Sequence, residues 1–148
     1  MKLDRTILEK FSLVKTYRFI EMTQIINTSL IIGLGGFLGT IFRFLISSSM
    51  EKYFSTSFPI GTIMVNLIGC FLIGLLSGYF TQKLGDQTQL FFFLTIGVLG
   101  GFTTFSAIAM DSQVFIENGE YLKMLTYISV QAILGIALCL IGYNLIKN

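Results

Sequence analysis

Two side-chain amides, Asn66 and Gln131, interrupt stretches that are otherwise apolar. Each belongs to a series with a residue of interest every fourth position. One runs Thr62, Asn66, Cys70, Gly74 and Gly78; the other runs Tyr127, Gln131, Gly135, Cys139 and Tyr143. Gly35, Gly39, Arg43 and Ser47 form a third. Residues four apart stack along one slanted stripe of a helix. Small residues on such a stripe let helices pack closely, which accounts for the glycines. Close packing does not account for the amides, because a buried amide in an apolar medium is costly unless paired.

The densest run is Gly97-Val98-Leu99-Gly100-Gly101-Phe102-Thr103-Thr104-Phe105-Ser106. Gly97, Gly100 and Gly101 each weaken a helix by about 1 kcal/mol relative to Ala, and three hydroxyl residues follow. The run reads either as a tight helix contact or as an unwound break. Broken helices at membrane depth occur where their backbone lines a cavity or binds an ion. Freed carbonyls would suit a cation, whereas side-chain donors and helix N-termini would suit an anion.

Other chemistry is scarce. There is no His, which removes the commonest general base and metal ligand. Cys70 and Cys139 lie inside apolar runs and read as buried thiols. Asp111 is the only acid adjoining the motif-bearing stretches, so no acid–base pair for a membrane enzyme is available. No basic cluster suggests a nucleic-acid partner.

The elements that must hold these residues are membrane helices. Of 148 residues, 53% are hydrophobic and 12% charged, about half the ~25% charged residues of a soluble domain. Four apolar stretches, about 25–47, 61–82, 90–110 and 121–146, match the ~20 residues needed to cross a bilayer. They predict a single all-α, multi-pass domain over 22–148, with polar connections at 48–60, 83–89 and 111–120. Arg43 and Lys123 lie near span ends and can snorkel to the interface.

Residues 1–21 form a basic tail of another kind. Leu3, Ile7, Phe11 and Val14 recur at helical spacing, which suits an amphipathic helix on the membrane surface; the alternative is translation from Met22. Lys2, Arg5, Lys10, Lys15 and Arg18 lie in this tail, on the side of Lys83 and Lys147, against Arg43, Lys52 and Lys123. With the tail the loop count favours a cytoplasmic N-terminus; from Met22 onward it fixes no orientation.

Three segments together resemble the small fluoride channels of the Fluc (CrcB) type. They are Gly35-Gly36-Phe37-Leu38-Gly39-Thr40-Ile41-Phe42-Arg43, then Gly61-Thr62-Ile63-Met64-Val65-Asn66-Leu67-Ile68-Gly69-Cys70-Phe71 with Gly74, then Gly100-Gly101-Phe102-Thr103-Thr104-Phe105-Ser106. The resemblance covers roughly 27–145 and leaves out the tail. It implies an antiparallel, dual-topology dimer in the cell membrane, its third helix broken at the Gly/Thr-rich segment. Two fluoride pathways would follow the dimer interface and let cytoplasmic fluoride leave passively.

The resemblance also implies residue roles. Asn66 matches the pore-lining Asn and Phe105 the first Phe of a pore pair, whose ring edge is electropositive. Thr104, Ser106, Arg43 and, more loosely, Tyr127 fall along the same pathway. Gly100 and Thr103 match the break where backbone carbonyls hold a structural Na⁺ at the dimer centre. Two positions depart from the pattern: Ile108 stands where the second pore Phe is expected, and Gln131 where a small hydroxyl residue is usual. Ile108 leaves open a non-conducting or partner-dependent subunit of a heterodimer with a related chain. A small multidrug-type exporter would need a carboxylate in the first span, and 25–47 has none. Intramembrane Asp, Glu or His normally carries coupled protons, and the four spans as delimited here lack all three, so a channel is expected over a proton-coupled pump.

Overall fold

The computed structural model describes residues 5–54, 58–84 and 88–147, and they are all helical apart from short connections. Helix α1 is Arg5–Phe54 and α2 is Ile60–Tyr79, continued by a π-helical turn, Phe80–Leu84. The third span is composite: α3 is Gln89–Phe91, a π-helical stretch covers Phe92–Leu99, α4 is Gly100–Phe102, and α5 is Phe105–Glu117. Helix α6, Tyr121–Lys147, completes the chain. Among the described residues, four stretches are long and apolar enough to cross a membrane: Leu13–Phe54, Ile60–Lys83, Gln89–Glu117 and Tyr121–Lys147.

Two expected boundaries move. The first span and tail residues 5–21 are one continuous helix, because 5–24 contains neither Gly nor Pro and nothing interrupts the hydrogen-bond ladder; residues 1–4 lie outside the described residues. The third span runs on through 111–117, expected as a connection, because Val114 and Phe115 continue its apolar face past Asp111. Pro59 caps α2. Gly119, with φ 73°, makes the turn from α5 into α6, a backbone conformation that suits Gly.

The spans pack as two parallel pairs. In the first, α2 lies along α6, and the two four-residue series meet in register. Asn66 touches Gln131, Gly135 faces Cys70, Gly74 faces Cys139 and Gly78 faces Tyr143, each pair 65 positions apart. A Cβ on Gly74 would overlap the Cys139 carbonyl oxygen, so only Gly permits the approach. In the second pair, α1 lies along the third span, where a Cβ on Gly39 would overlap the Val98 carbonyl. Gly97 and Gly101 press on the backbone of α1 near Ile32 and Gly36.

Gly97 and Gly101 of the third span thus serve close approach, and they and Gly100 keep helical conformation. Thr103 (φ −83°, ψ 156°) and Thr104 (φ −154°, ψ 123°), the residues after them, are extended. Val65, Leu99 and Phe102 form a small apolar core with Ile46 and Leu76 beside it. Polar Thr62, Asn66, Thr95, Ser112 and Gln131 are buried as well, while long apolar side chains cover the outside. That inverted distribution is what a bilayer solvent favours.

Candidate functional site

The site is built around the two extended threonines. Because Thr104 has left the helix, its N–H donates to Asn66 Oδ1 at 2.8 Å. Asn66 Nδ2 donates back to the Thr104 carbonyl at 3.1 Å and to Gln131 Oε1 at 2.7 Å. One amide on α2 therefore clasps the third span and α6 together. The Thr104 hydroxyl caps α5 by accepting from the Ala107 N–H at 3.2 Å, and it shares a 2.9 Å hydrogen bond with Ser106. Both orphan amides of the sequence are paired with each other, which lowers the cost of burying them.

Two grooves meet at Thr104. One, of about 280 Å³, is lined by Asn66, Cys70, Thr103, Thr104, Phe105, Ile108, Ile128, Gln131 and Ala132. None of these side chains is charged. Phe105 stands at its rim, 79% exposed. The other groove, of about 400 Å³, is more polar than the first: beside Phe44, Val65 and Met110 it carries Thr40, Arg43, Glu51, Thr62, Thr104, Ser106 and Asp111. Arg43 donates to the Thr103 carbonyl at 3.5 Å, and the Thr40 hydroxyl to the Gly101 carbonyl at 3.5 Å.

The structure thus gathers Asn66, Phe105, Ile108 and Thr104 around the apolar groove, and Arg43, Ser106 and again Thr104 around the polar one. Tyr127 lines neither groove. Its ring is fully buried in a triangle with Phe58 and Phe115, with centroids 5.8 Å from each. Its hydroxyl donates to Asp111 Oδ2 at 2.6 Å.

Asp111 is the residue that sequence reasoning misplaced. It lies within α5, inside the third span, and lines the polar groove with Arg43. The expected end of the third span near residue 110 is therefore corrected: the helix runs on past Asp111 to Glu117. The signal was present in the apolar residues continuing beyond Asp111. Cys70 and Gln131 were visible on their stripes but were not assigned to the groove they line.

Comparison with known proteins follows the same residues. The model of the family described as CrcB-like protein, Camphor Resistance (CrcB), matches residues 30–143. The chain belongs to the CrcB family. Among curated CrcB relatives, a "Fluoride-specific ion channel FluC" of Aquifex aeolicus (strain VF5) is 40% identical over 114 residues, covering 77% of this chain and 92% of that one. The protein of the same name from Helicobacter acinonychis (strain Sheeba) is 42% identical, covering 78% and 91%. That of Rhizobium meliloti (strain 1021) is 37% identical, covering 82% and 97%. The match includes every element of both grooves and begins 25 residues into α1.

Proposed function

We infer that the chain is a fluoride-selective channel of the cell membrane, not an enzyme, through which cytoplasmic fluoride leaves passively and its toxicity is reduced. The carrying observation is the match to proteins named fluoride-specific ion channels over nearly their whole length. The groove supplies the chemistry. Fluoride is small and tightly hydrated, so a selective path must replace its water with donors at close range. An uncharged groove with amide and hydroxyl donors and an exposed Phe105 edge holds an anion weakly enough to release it.

The pathway is completed by a second, antiparallel copy. Supporting this are the open side of the apolar groove, the exposed Phe105, and Gly100, where an added Cβ would meet nothing within 4 Å in its own chain. The Na⁺ expected at the dimer centre also fits. In a continued helix the Thr104 N–H would serve the Gly100 carbonyl, but it serves Asn66 instead. The Thr103 carbonyl has Arg43 at 3.5 Å and loses its helical donor, Ala107 N–H, to the Thr104 hydroxyl. These two carbonyls would hold the ion, which supplies a structural bridge between subunits. Ile108 gives a partner-dependent subunit as the second reading, with one aromatic in each path.

The test is passive fluoride efflux from liposomes containing this chain alone, followed with a fluoride electrode. Rapid efflux without an imposed proton gradient, and none of chloride, is expected. No efflux from correctly inserted protein would favour the partner-dependent reading.

A further inference from the structure

The seam between α1 and the third span is closed along its middle and open at one end. From Ile32 to Gly39 the two backbones touch. A Cβ on Gly35 would overlap the Phe93 carbonyl, and one on Gly97 would crowd the Ile32 carbonyl. The third span begins at Gln89, whereas α1 runs on past it toward its own N-terminus. The face of α1 that packs on the third span therefore continues beyond its neighbour, and there the seam widens into a cleft of about 700 Å³. Ile25 and Phe92 give the cleft an apolar wall, while Gln24, Thr28, Ser29 and Gln89 bring neutral amides and hydroxyls. Glu21 is the outermost of the lining residues, about 5 Å farther along the axis than Gln24 and Ile25. No Lys or Arg lines the cleft, and among the described residues Glu21 forms no ion pair and no side-chain hydrogen bond.

This lining lies where the third span starts, at the edge of the hydrocarbon layer. Amides and hydroxyls can donate to phosphate oxygens without adding a fixed charge. A carboxylate one turn farther out attracts an ammonium group and repels a headgroup whose only charge is its phosphate. Ile25 and Phe92 suit the first methylenes of an acyl chain. We propose that the cleft binds the headgroup of phosphatidylethanolamine, a zwitterionic phospholipid, with its phosphate among the amides and hydroxyls and its ammonium at Glu21. The lipid would wedge the open end of the seam and tie the root of the α1 extension to the third span. Every α1 residue of the cleft precedes residue 30, where the CrcB match begins. The site is thus separate from both grooves and does not depend on what the channel carries.

The test is native mass spectrometry of the full-length protein in detergent micelles supplied with phosphatidylethanolamine or phosphatidylglycerol of matched acyl chains. The wild type should retain the ethanolamine lipid at least about threefold more tightly, a modest ratio because Glu21 is exposed. Glu21→Gln should hold the two lipids alike, and Glu21→Lys should reverse the preference. Gln89→Leu removes a phosphate donor from the facing wall, so it should weaken both lipids while the preference stays. Equal retention of the two lipids by the wild type, or an unchanged ethanolamine preference in Glu21→Lys, would overturn the proposal. Displacement of the lipid by an equal concentration of soluble glycerophosphoethanolamine would show a site for the free headgroup and reject a lipid site. None of these readings involves fluoride, so the channel reading stands or falls separately.

Discussion

At the scale of single residues, the interplay of Asn66 with Gln131 makes a sharp case of one substitution with two effects. Asn66→Asp places a carboxylate beside the groove, and it also removes the donor that orients Gln131. The aspartate accepts from the Thr104 N–H as before, but Gln131 must now turn its Nε2 inward to donate to it. An anion then meets a negative charge beside the groove. Fluoride efflux should fall at least about a hundredfold while dimer elution is retained; wild-type efflux in assembled Asn66→Asp would remove Asn66 from the pathway. The importance of the two amides was legible in the sequence because nothing apolar explains them. How the two amides pair was not, because that depends on the Thr104 N–H leaving its helix.

At the scale of elements, the two four-residue series are complementary faces of one seam, and the glycines divide by what lies above them. Gly39 is covered by the Val98 carbonyl of its own chain, whereas Gly100 is open. Gly39→Val should therefore prevent α1 from seating on the third span, and the protein should fail to fold or extract as a single species. Gly100→Val should leave the chain folded but weaken pairing, shifting the detergent-solubilised protein from dimer to monomer in light scattering. A folded, fully dimeric Gly100→Val would show that this face meets no partner. Periodicity revealed the four spans and their stripes, since a 3.6-residue repeat of small residues survives any helix packing. It did not reveal that the helix gives way at the threonines and not at the glycines. Helix propensity alone favours the opposite, and the close α1 contacts of Gly97 and Gly101 override it.

At the scale of the whole molecule, α1 begins with most of the basic residues of the tail, whose count should bias orientation. The loops from Met22 onward hold two basic residues on one side and three on the other, while Lys2, Arg5, Lys10, Lys15 and Arg18 add five to the first. The full chain should insert mainly with its N-terminus in the cytoplasm, and a chain begun at Met22 should insert both ways. Accessibility of a cysteine introduced beside Lys83 checks this in both; equal labelling from the two sides in the full chain would contradict it. The tail was read as a separate segment because its charge differs so sharply from the span that follows, yet charge does not end a helix where Gly and Pro are absent. At about 1.5 Å per residue, the 50 residues of α1 extend about 75 Å, more than twice the ~30 Å hydrocarbon layer. A rod of that length is a built-in landmark for electron microscopy. A small membrane particle with little mass outside its micelle is hard to align, and here each subunit would mark its own end, so that projections with rods on opposite faces and projections with both on one face could be sorted by eye.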